Sequence, residues 1–344
     1  MKDIKEYRVN RMDNGIILHA NESCFPISEK VKYKFKEAIE HIEFQRYPEI
    51  DAFSLREAYA KKYNLTSNEV LCGNGSDEML GILINTNIWK DNKVLTLSLD
   101  FSMYDYFVSF NEGVMVKYPV EKDGSFDLTK FIELGKKEKV NMIMFSNPNN
   151  PTGHTLTNEE IKVLLEAFQD IPVVIDEAYG DFADETMIDE INNYDNLFVT
   201  RTMSKAYSLA GARVGFLLSN AKNIKELSAY KEPYTVNVLS TQLALLQLEE
   251  DEAIQKQIEM IKKLRKQLFL DLNKIKNDDL WINESNANFI YGKTNCKDKL
   301  FEALEKNEIL IRNYQDDSFR ITVGNKEENQ EVVRVFESVF GKEG

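Results

Sequence analysis

The chain reads as an α/β protein: a large domain with a mostly parallel seven-stranded sheet sandwiched by helices, plus a smaller α+β domain. Three observations carry that reading. From Val31 to Ser219 short apolar runs alternate with longer amphipathic stretches, the order expected when parallel strands are joined by helical crossovers. Several of the runs are apolar on both faces, as strands covered on both sides must be. After Pro233 the pattern turns to helical spacing and then to short strands set between helices.

The expected strands of the large sheet are Glu69–Cys72, Lys93–Leu97, Val114–Tyr118, Asn141–Phe145, Pro172–Ile175, Leu197–Thr200 and Val214–Leu218. Ser54–Lys62 and Asn158–Phe168 read as amphipathic helices. Thr157 opens the second, with Glu160 three residues on, a pair that satisfies free amides of a first turn. Leu243, Leu246, Ile254, Ile258, Ile261, Leu264 and Leu268 recur near helical spacing and predict one long helix over Ser240–Ile275. Beyond it, Asn288–Tyr291 and Phe319–Val323 read as strands, and Asp298–Lys306 and Glu328–Phe340 as helices. The expected division is residues 31–245 for the large domain, 1–30 with 275–344 for the small one, and 246–274 as a linking helix.

Composition narrows the function. The 344 residues carry 43 Lys plus Arg against 57 Asp plus Glu, a formal charge of -14 that repels nucleic-acid phosphates and anionic lipid headgroups. No apolar run approaches the ~20 residues a bilayer-spanning helix needs. The first twenty residues, with Asp3, Glu6 and Asp13 around the short run Ile16–Leu18, do not have the pattern of a signal peptide. Cys24, Cys72 and Cys296 are odd in number and widely spaced, which suits a reducing cytoplasm and argues against a disulfide framework. His19, His41 and His154 show no metal-ligand spacing, so they read as ordinary surface or core residues and no metal is expected.

Four segments carry the chemistry. Gly73-Asn74-Gly75-Ser76-Asp77-Glu78 follows one expected strand and opens a helix, where free amides can meet an anion. The dinucleotide fingerprint needs Gly where Glu78 stands, and no GxxxxGK[ST] run exists in the chain. Pro148-Asn149-Asn150-Pro151-Thr152-Gly153 forms a stiff turn at a strand's carboxyl end, where open α/β sheets bind ligands. The run Pro172–Ile175 ends abruptly in Asp176, delivering a carboxylate that either caps the next segment or meets a cation such as a pyridinium nitrogen. Thr202-Met203-Ser204-Lys205 follows the next strand, with Arg213 eight residues on. A phosphorylated pyridine aldehyde, pyridoxal 5′-phosphate (PLP), would use all these groups together.

On these residues the chain resembles the fold-type I PLP-dependent aminotransferases, and most of all the histidinol-phosphate aminotransferase family. The matching segments run in family order: Ala20-Asn21-Glu22, Arg46-Tyr47-Pro48, GNGSDE from Gly73, PNNPTG from Pro148, DEAYGDF from Asp176, RTMSKAYSLAGARVG from Arg201, PYTVN from Pro233 and FRITVG from Phe319. The resemblance implies that Lys205 forms the internal aldimine and moves the α-proton, and that Asp176 pairs with the protonated ring nitrogen. It further implies that Asn150 and Tyr179 bond the ring's phenolic oxygen and that Phe101 stacks on the ring. Ser76, Asp77, Thr202, Ser204 and Arg213 would hold the phosphate, joined by Tyr47 from the second subunit of a homodimer. Arg320, assisted by Arg312, Tyr7 and Asn21, would hold the substrate.

The activity implied is ping-pong transfer of an amino group between histidinol phosphate, or a related aromatic amine, and a 2-oxo acid such as 2-oxoglutarate. A PLP-dependent lyase of the same fold, such as a phospho-amino-acid decarboxylase, is the alternative. Two departures stand out. Asn21-Glu22-Ser23-Cys24 replaces the family's Asn-Glu-Asn-Pro, and Leu99-Asp100 replaces a Pro-Thr step before the stacking aromatic. The first bears on substrate choice. A surface ion pair with Asp316 or Asp317 is the other reading of Arg320.

Overall fold

A computed structural model describes residues 14–341 of the chain. In chain order the strands are β1 (Ile16–Leu18), β2 (Val70–Gly73), β3 (Lys93–Leu97), β4 (Val114–Tyr118), β5 (Met142–Ser146), β6 (Val173–Asp176), β7 (Leu197–Thr202), β8 (Gly215–Leu218), β9 (Leu280–Ile282), β10 (Phe289–Thr294), β11 (Ile309–Asn313) and β12 (Ser318–Thr322). The helices are α1 (Glu29–Ile39), α2 (Phe53–Lys62), α3 (Ser76–Asn87), α4 (Met103–Phe110), α5 (Leu128–Glu138), α6 (Asn158–Ala167), α7 (Ala221–Ser228), α8 (Val238–Leu248), α9 (Asp251–Lys274), α10 (Lys297–Lys306) and α11 (Lys326–Phe340).

Seven strands form the large sheet in the order β2-β8-β7-β6-β5-β3-β4. Neighbours from β4 to β7 run parallel, whereas β8 is antiparallel to both β7 and β2. The twelve residues between β7 and β8 hold no α-helix, and the chain turns back on itself there. Strands β2, β5, β6, β7 and β8 are buried along their whole length, with core residues packed above and below. From β3 the chain goes outward to β4 and then returns to β5 on the other side of β3. That reversal opens a crevice at the carboxyl ends of β3 and β5.

The second sheet has the order β1-β11-β12-β10-β9. Its first strand, β1, pairs parallel with β11, Ile16 opposite Ile309. Sequence patterning misses β1 and β9, whose three residues are too few for alternation to show, and also β11.

The single helix expected over Ser240–Ile275 is two helices, broken at Glu249 and Glu250. The apolar spacing continues across the break and hides it. The run Glu249-Glu250-Asp251-Glu252 suits a helix start and opposes a helix end, because the helix dipole favours carboxylates at its N-terminus. Residues 246–248, expected in the linking helix, therefore belong to α8, which packs on α1 and α2. Helix α9 joins two cores: Ile254, Ile258 and Ile261 pack with the large sheet, and Leu268 and Leu272 pack with the small one.

Candidate active site

Asp176 ends β6 and lies almost fully buried beneath the crevice. Its Oδ1 accepts from Thr200 Oγ1 at 2.8 Å and from the Ala178 amide at 3.2 Å, and its Oδ2 accepts from Tyr104 Oη at 2.8 Å. Burial raises the carboxyl above its usual range and these hydrogen bonds oppose that rise. A cation seated against it restores the ionised form. Thr200 and Tyr104 were not singled out from the sequence. Thr200 faces Asp176 only through the β6–β7 register, and Tyr104 only because α4 begins at the sheet edge.

Ser76, Asp77, Thr202, Ser204 and Arg213 line the same cavity beside Asp176. Gly75, the cap residue of α3, has φ +85°, and a Cβ there would stand 2.6 Å from Arg213 Nη2. A Cβ on Gly215 would stand 2.1 Å from the Ser76 amide nitrogen. Glycine at both positions lets the start of α3 close against β8, with its first amides facing the cavity. Thr202 Oγ1 donates to Ser204 Oγ at 2.9 Å. Arg213 reaches Ser204 Oγ at 3.3 Å and Asp77 Oδ2 at 3.1 Å.

Lys205 enters from the turn after β7. Its Nζ donates to the Ala20 carbonyl at 2.8 Å. Burial is the main cause lowering its pKa to about 8, with the Arg320 and Arg213 charges acting in the same direction. A neutral, nucleophilic amine is thereby accessible near neutral pH. Phe101 and Tyr179 line the cavity beside it, Phe101 edge-on to Tyr104 at 5.6 Å between centroids. Burial also pushes the Tyr179 phenol up to about 12.

The rim comes from the small sheet. Arg312 on β11 and Arg320 on β12 are directly paired in register, and both line the cavity with His19, Asn21 and Tyr314. Arg320 is buried. Its Nη2 donates to the His19 carbonyl at 2.8 Å, its Nη1 donates to Asn150 Oδ1, and its Nε is enclosed with no acceptor among the described residues. Asp316 and Asp317 pair with Lys293, so the surface ion-pair reading of Arg320 does not hold. Asn21 takes a left-handed backbone, φ 54°, which asparagine tolerates. Its Nδ2 donates to Tyr179 Oη at 2.8 Å, and its carbonyl accepts from Asn288. His19, read from sequence as an ordinary histidine, stands on this rim.

One expected site residue of the described chain lies elsewhere. Tyr47 is 82% exposed and stacks on Tyr234 at 4.8 Å, away from the cavity. Tyr7 lies outside the described residues. The conspicuous charges of DEAYGDF and RTMSK have a structural role: buried Arg201 pairs with Glu177 at 2.9 Å and Asp181 at 3.2 Å, tying the segment after β6 to β7.

The donor set fits one kind of group. A buried carboxylate suits a ring cation, a lysine amine suits a carbonyl carbon, and a helix start with two hydroxyls and an arginine suits a phosphate. These are the recognition groups of a PLP-dependent aminotransferase of fold type I, and that is the class the fold and the cavity define. The family model for aminotransferase class I and II matches residues 13–336, and the chain belongs to that family. It is 37% identical to a histidinol-phosphate aminotransferase of Clostridium kluyveri over 331 residues, 95% of this chain and 93% of the relative. Among solved structures it superposes on the histidinol-phosphate aminotransferase of Sinorhizobium meliloti in complex with pyridoxal-5′-phosphate. The TM-score is 0.87 at 21% identity, over 95% of this chain and 90% of the other. It also superposes on the L-threonine-O-3-phosphate decarboxylase of Porphyromonas gingivalis with a TM-score of 0.80 at 23% identity, over 94% of this chain and 98% of the other. The decarboxylase shares the fold, and the 37% relative is an aminotransferase.

Proposed function

We propose that the enzyme moves an amino group between histidinol phosphate, or a related aromatic amine, and a 2-oxo acid such as 2-oxoglutarate. The observation that carries this reading is the pair Arg312 and Arg320, opposite each other on β11 and β12 at the mouth of the cavity that holds Lys205. Two guanidinium groups in a chain of net charge -14 mark a place for a strongly anionic substrate.

When bound, PLP supplies an electron sink for the pair left behind as the substrate's α-hydrogen departs as a proton. The protein's residues do the rest. Asp176, steadied by Thr200 and Tyr104, would hold the ring nitrogen and keep it protonated. Ser76 and Asp77 amides, Thr202, Ser204 and Arg213, which line the cavity, would hold the phosphate, Phe101 would cover the ring, and Asn150 and Tyr179 would bond the phenolic oxygen. Lys205 Nζ would be the amine that holds the group's carbonyl carbon and, as a free amine, the base placed to move the proton of the substrate's α-carbon. Arg320, Arg312 and Asn21 align the substrate over it.

The working unit is a homodimer in the cytoplasm, with Tyr47 completing the neighbouring phosphate site. Its exposure beside Tyr234, on a surface that also bares Phe44, Ile50 and Phe53, supports that placement. Among the described residues no helix is long and apolar enough to cross a membrane. Half-reaction spectra test the substrate reading. Histidinol phosphate should convert the bound cofactor to its amine form at the lowest concentration in a panel with glutamate, phenylalanine and threonine phosphate. Release of carbon dioxide from a phospho-amino acid, without amine transfer, would replace this reading by the lyase.

A further inference from the structure

Asp100 stands between the two halves of the site, at the position where the chain departs from the Pro-Thr step. Its Oδ1 accepts from the Phe101 amide at 2.8 Å and from Ser146 Oγ, and both carboxyl oxygens lie within 3.3 Å of the Ser146 amide. Ser146 ends β5 opposite Asp176 in register. Because its hydroxyl hydrogen is committed to Asp100, Ser146 Oγ is left to accept from the Asn150 amide, at 2.9 Å. Asn150 in turn accepts from Arg320. A continuous hydrogen-bonded chain therefore runs from Asp100 through Ser146 and Asn150 to Arg320. The phenol of Tyr104, which holds Asp176, also lies beside Ser146.

We infer that Asp100 is a positioning residue that couples the cofactor floor to the substrate arginine. Its carboxyl orients Ser146, and through it Asn150, and its charge acts on the Asp176–Tyr104 pair and on Lys205. This rests on the roles given above to Asp176 and Lys205. Desolvation of the carboxyl, opposed by its hydrogen bonds to Ser146 and Phe101 and reinforced by the Asp176 charge, pushes its pKa up to about 8, so its charge is present above that pH and lost below it. The charged and titratable groups sharing its surroundings are Tyr104 from α4, Asp176 from β6, Asp77 from α3, Tyr179, Lys205, and, on the small-sheet side, His19, Arg312, Tyr314 and Arg320. Carboxylate at position 100 favours the protonated form of the lysine attachment; loss of that charge disfavours it.

The test uses the PLP-loaded enzyme and two variants. In Asp100→Asn the midpoint of the pH titration of the cofactor's visible absorption should fall by about one pH unit, the effect of deleting one nearby charge in a partly desolvated site. Ser146→Ala keeps the charge and cuts the chain. It should leave that midpoint within about a third of the Asp100→Asn shift while raising the half-saturating glutamate concentration about tenfold, through a loosened Asn150 and Arg320. An unchanged midpoint in Asp100→Asn overturns the electrostatic coupling. Unchanged half-saturation in Ser146→Ala overturns the positioning chain, and it does so even where the Asn variant fails to fold. Asp176→Asn separates the two levels of argument: if it too leaves the absorption unmoved, the assignment of Asp176 to the ring nitrogen fails, whereas a shift there with none in Asp100→Asn rejects Asp100 alone.

Discussion

The floor of the cavity and its rim are built differently. The floor comes from one sheet edge: Asp176, Thr200, Thr202, Ser204 and Lys205 leave adjacent strands, and the carboxylate at its base accepts three hydrogen bonds from groups buried with it. The rim is assembled from β1, β11 and β12, so that Asn21 and Thr322, which bond each other, lie 301 positions apart in the chain. Arg320 of the rim rests on the His19 carbonyl and the Asn150 side-chain oxygen, and Lys205 of the floor reaches up to the Ala20 carbonyl. A carbonyl is a weaker partner for a cation than a carboxylate or phosphate, so a substrate anion can replace it. A preorganised floor suits a fixed reaction, and a replaceable rim suits a choice of substrate.

The strongest way to break the contrast is at Lys205, where floor and rim meet. Lys205→Ala should retain some cofactor on the phosphate and ring contacts yet lose turnover by several orders of magnitude, since attachment and proton transfer go together. Borohydride reduction of the wild-type enzyme followed by peptide mapping should place the pyridoxyl group on Lys205; label on any other lysine refutes the assignment.

Next in size is a pH effect. With burial holding the Lys205 amine at about 8 in place of 10.5, the rate at which cofactor-free protein takes up PLP should rise about tenfold per pH unit up to pH 8 and level off above it. Between about 8 and 10.5 the unfolded chain keeps this proton and the folded one does not. Stability of the cofactor-free protein should accordingly rise with pH across that window and fall again as pH returns to 8. Stopped-flow uptake and denaturant titrations would check the two halves; a midpoint near 10.5 contradicts both.

The rim responds separately. Arg320→Lys should leave the cofactor spectrum intact and cost roughly 2 kcal/mol or more in transition-state binding of anionic substrates, because lysine cannot reproduce a bidentate fork. Arg312→Ala should raise the half-saturating concentration of histidinol phosphate more than that of glutamate. Equal losses would remove the support for a phosphate-specific rim while leaving the floor's reaction in place. The smallest effect belongs to the subunit boundary: Tyr47→Phe should weaken cofactor retention by about 1 kcal/mol, the worth of one charge-assisted hydrogen bond, measured by dialysis against free PLP. A monomer that is fully active at assay dilution would contradict the shared site.

Legibility followed the same division. Asp176 abruptly stops an apolar run, and Lys205 and Arg213 stand in one short motif of hydroxyls and small residues, signals that are visible in one dimension. Tyr104, Thr200 and Ser146 are ordinary residues in ordinary places, and they matter only because strand register and the start of α4 bring them to Asp176. The break at Glu249–Glu250 was hidden for the opposite reason: local periodicity continued where the backbone did not.

The seven strands of the large sheet, the residues that punctuate them and the class of cofactor they can hold were determined by the sequence alone. Each rests on local propensity or on a motif whose members lie within a few residues of one another. Only the tertiary structure decided that β1 would lie beside β11, that Arg312 and Arg320 would face the same cavity, and that Asp100 would reach Arg320 through Ser146 and Asn150. Those relations join segments up to three hundred residues apart, whose encounter depends on how both sheets bury their apolar faces, a condition on the whole chain that no local window contains.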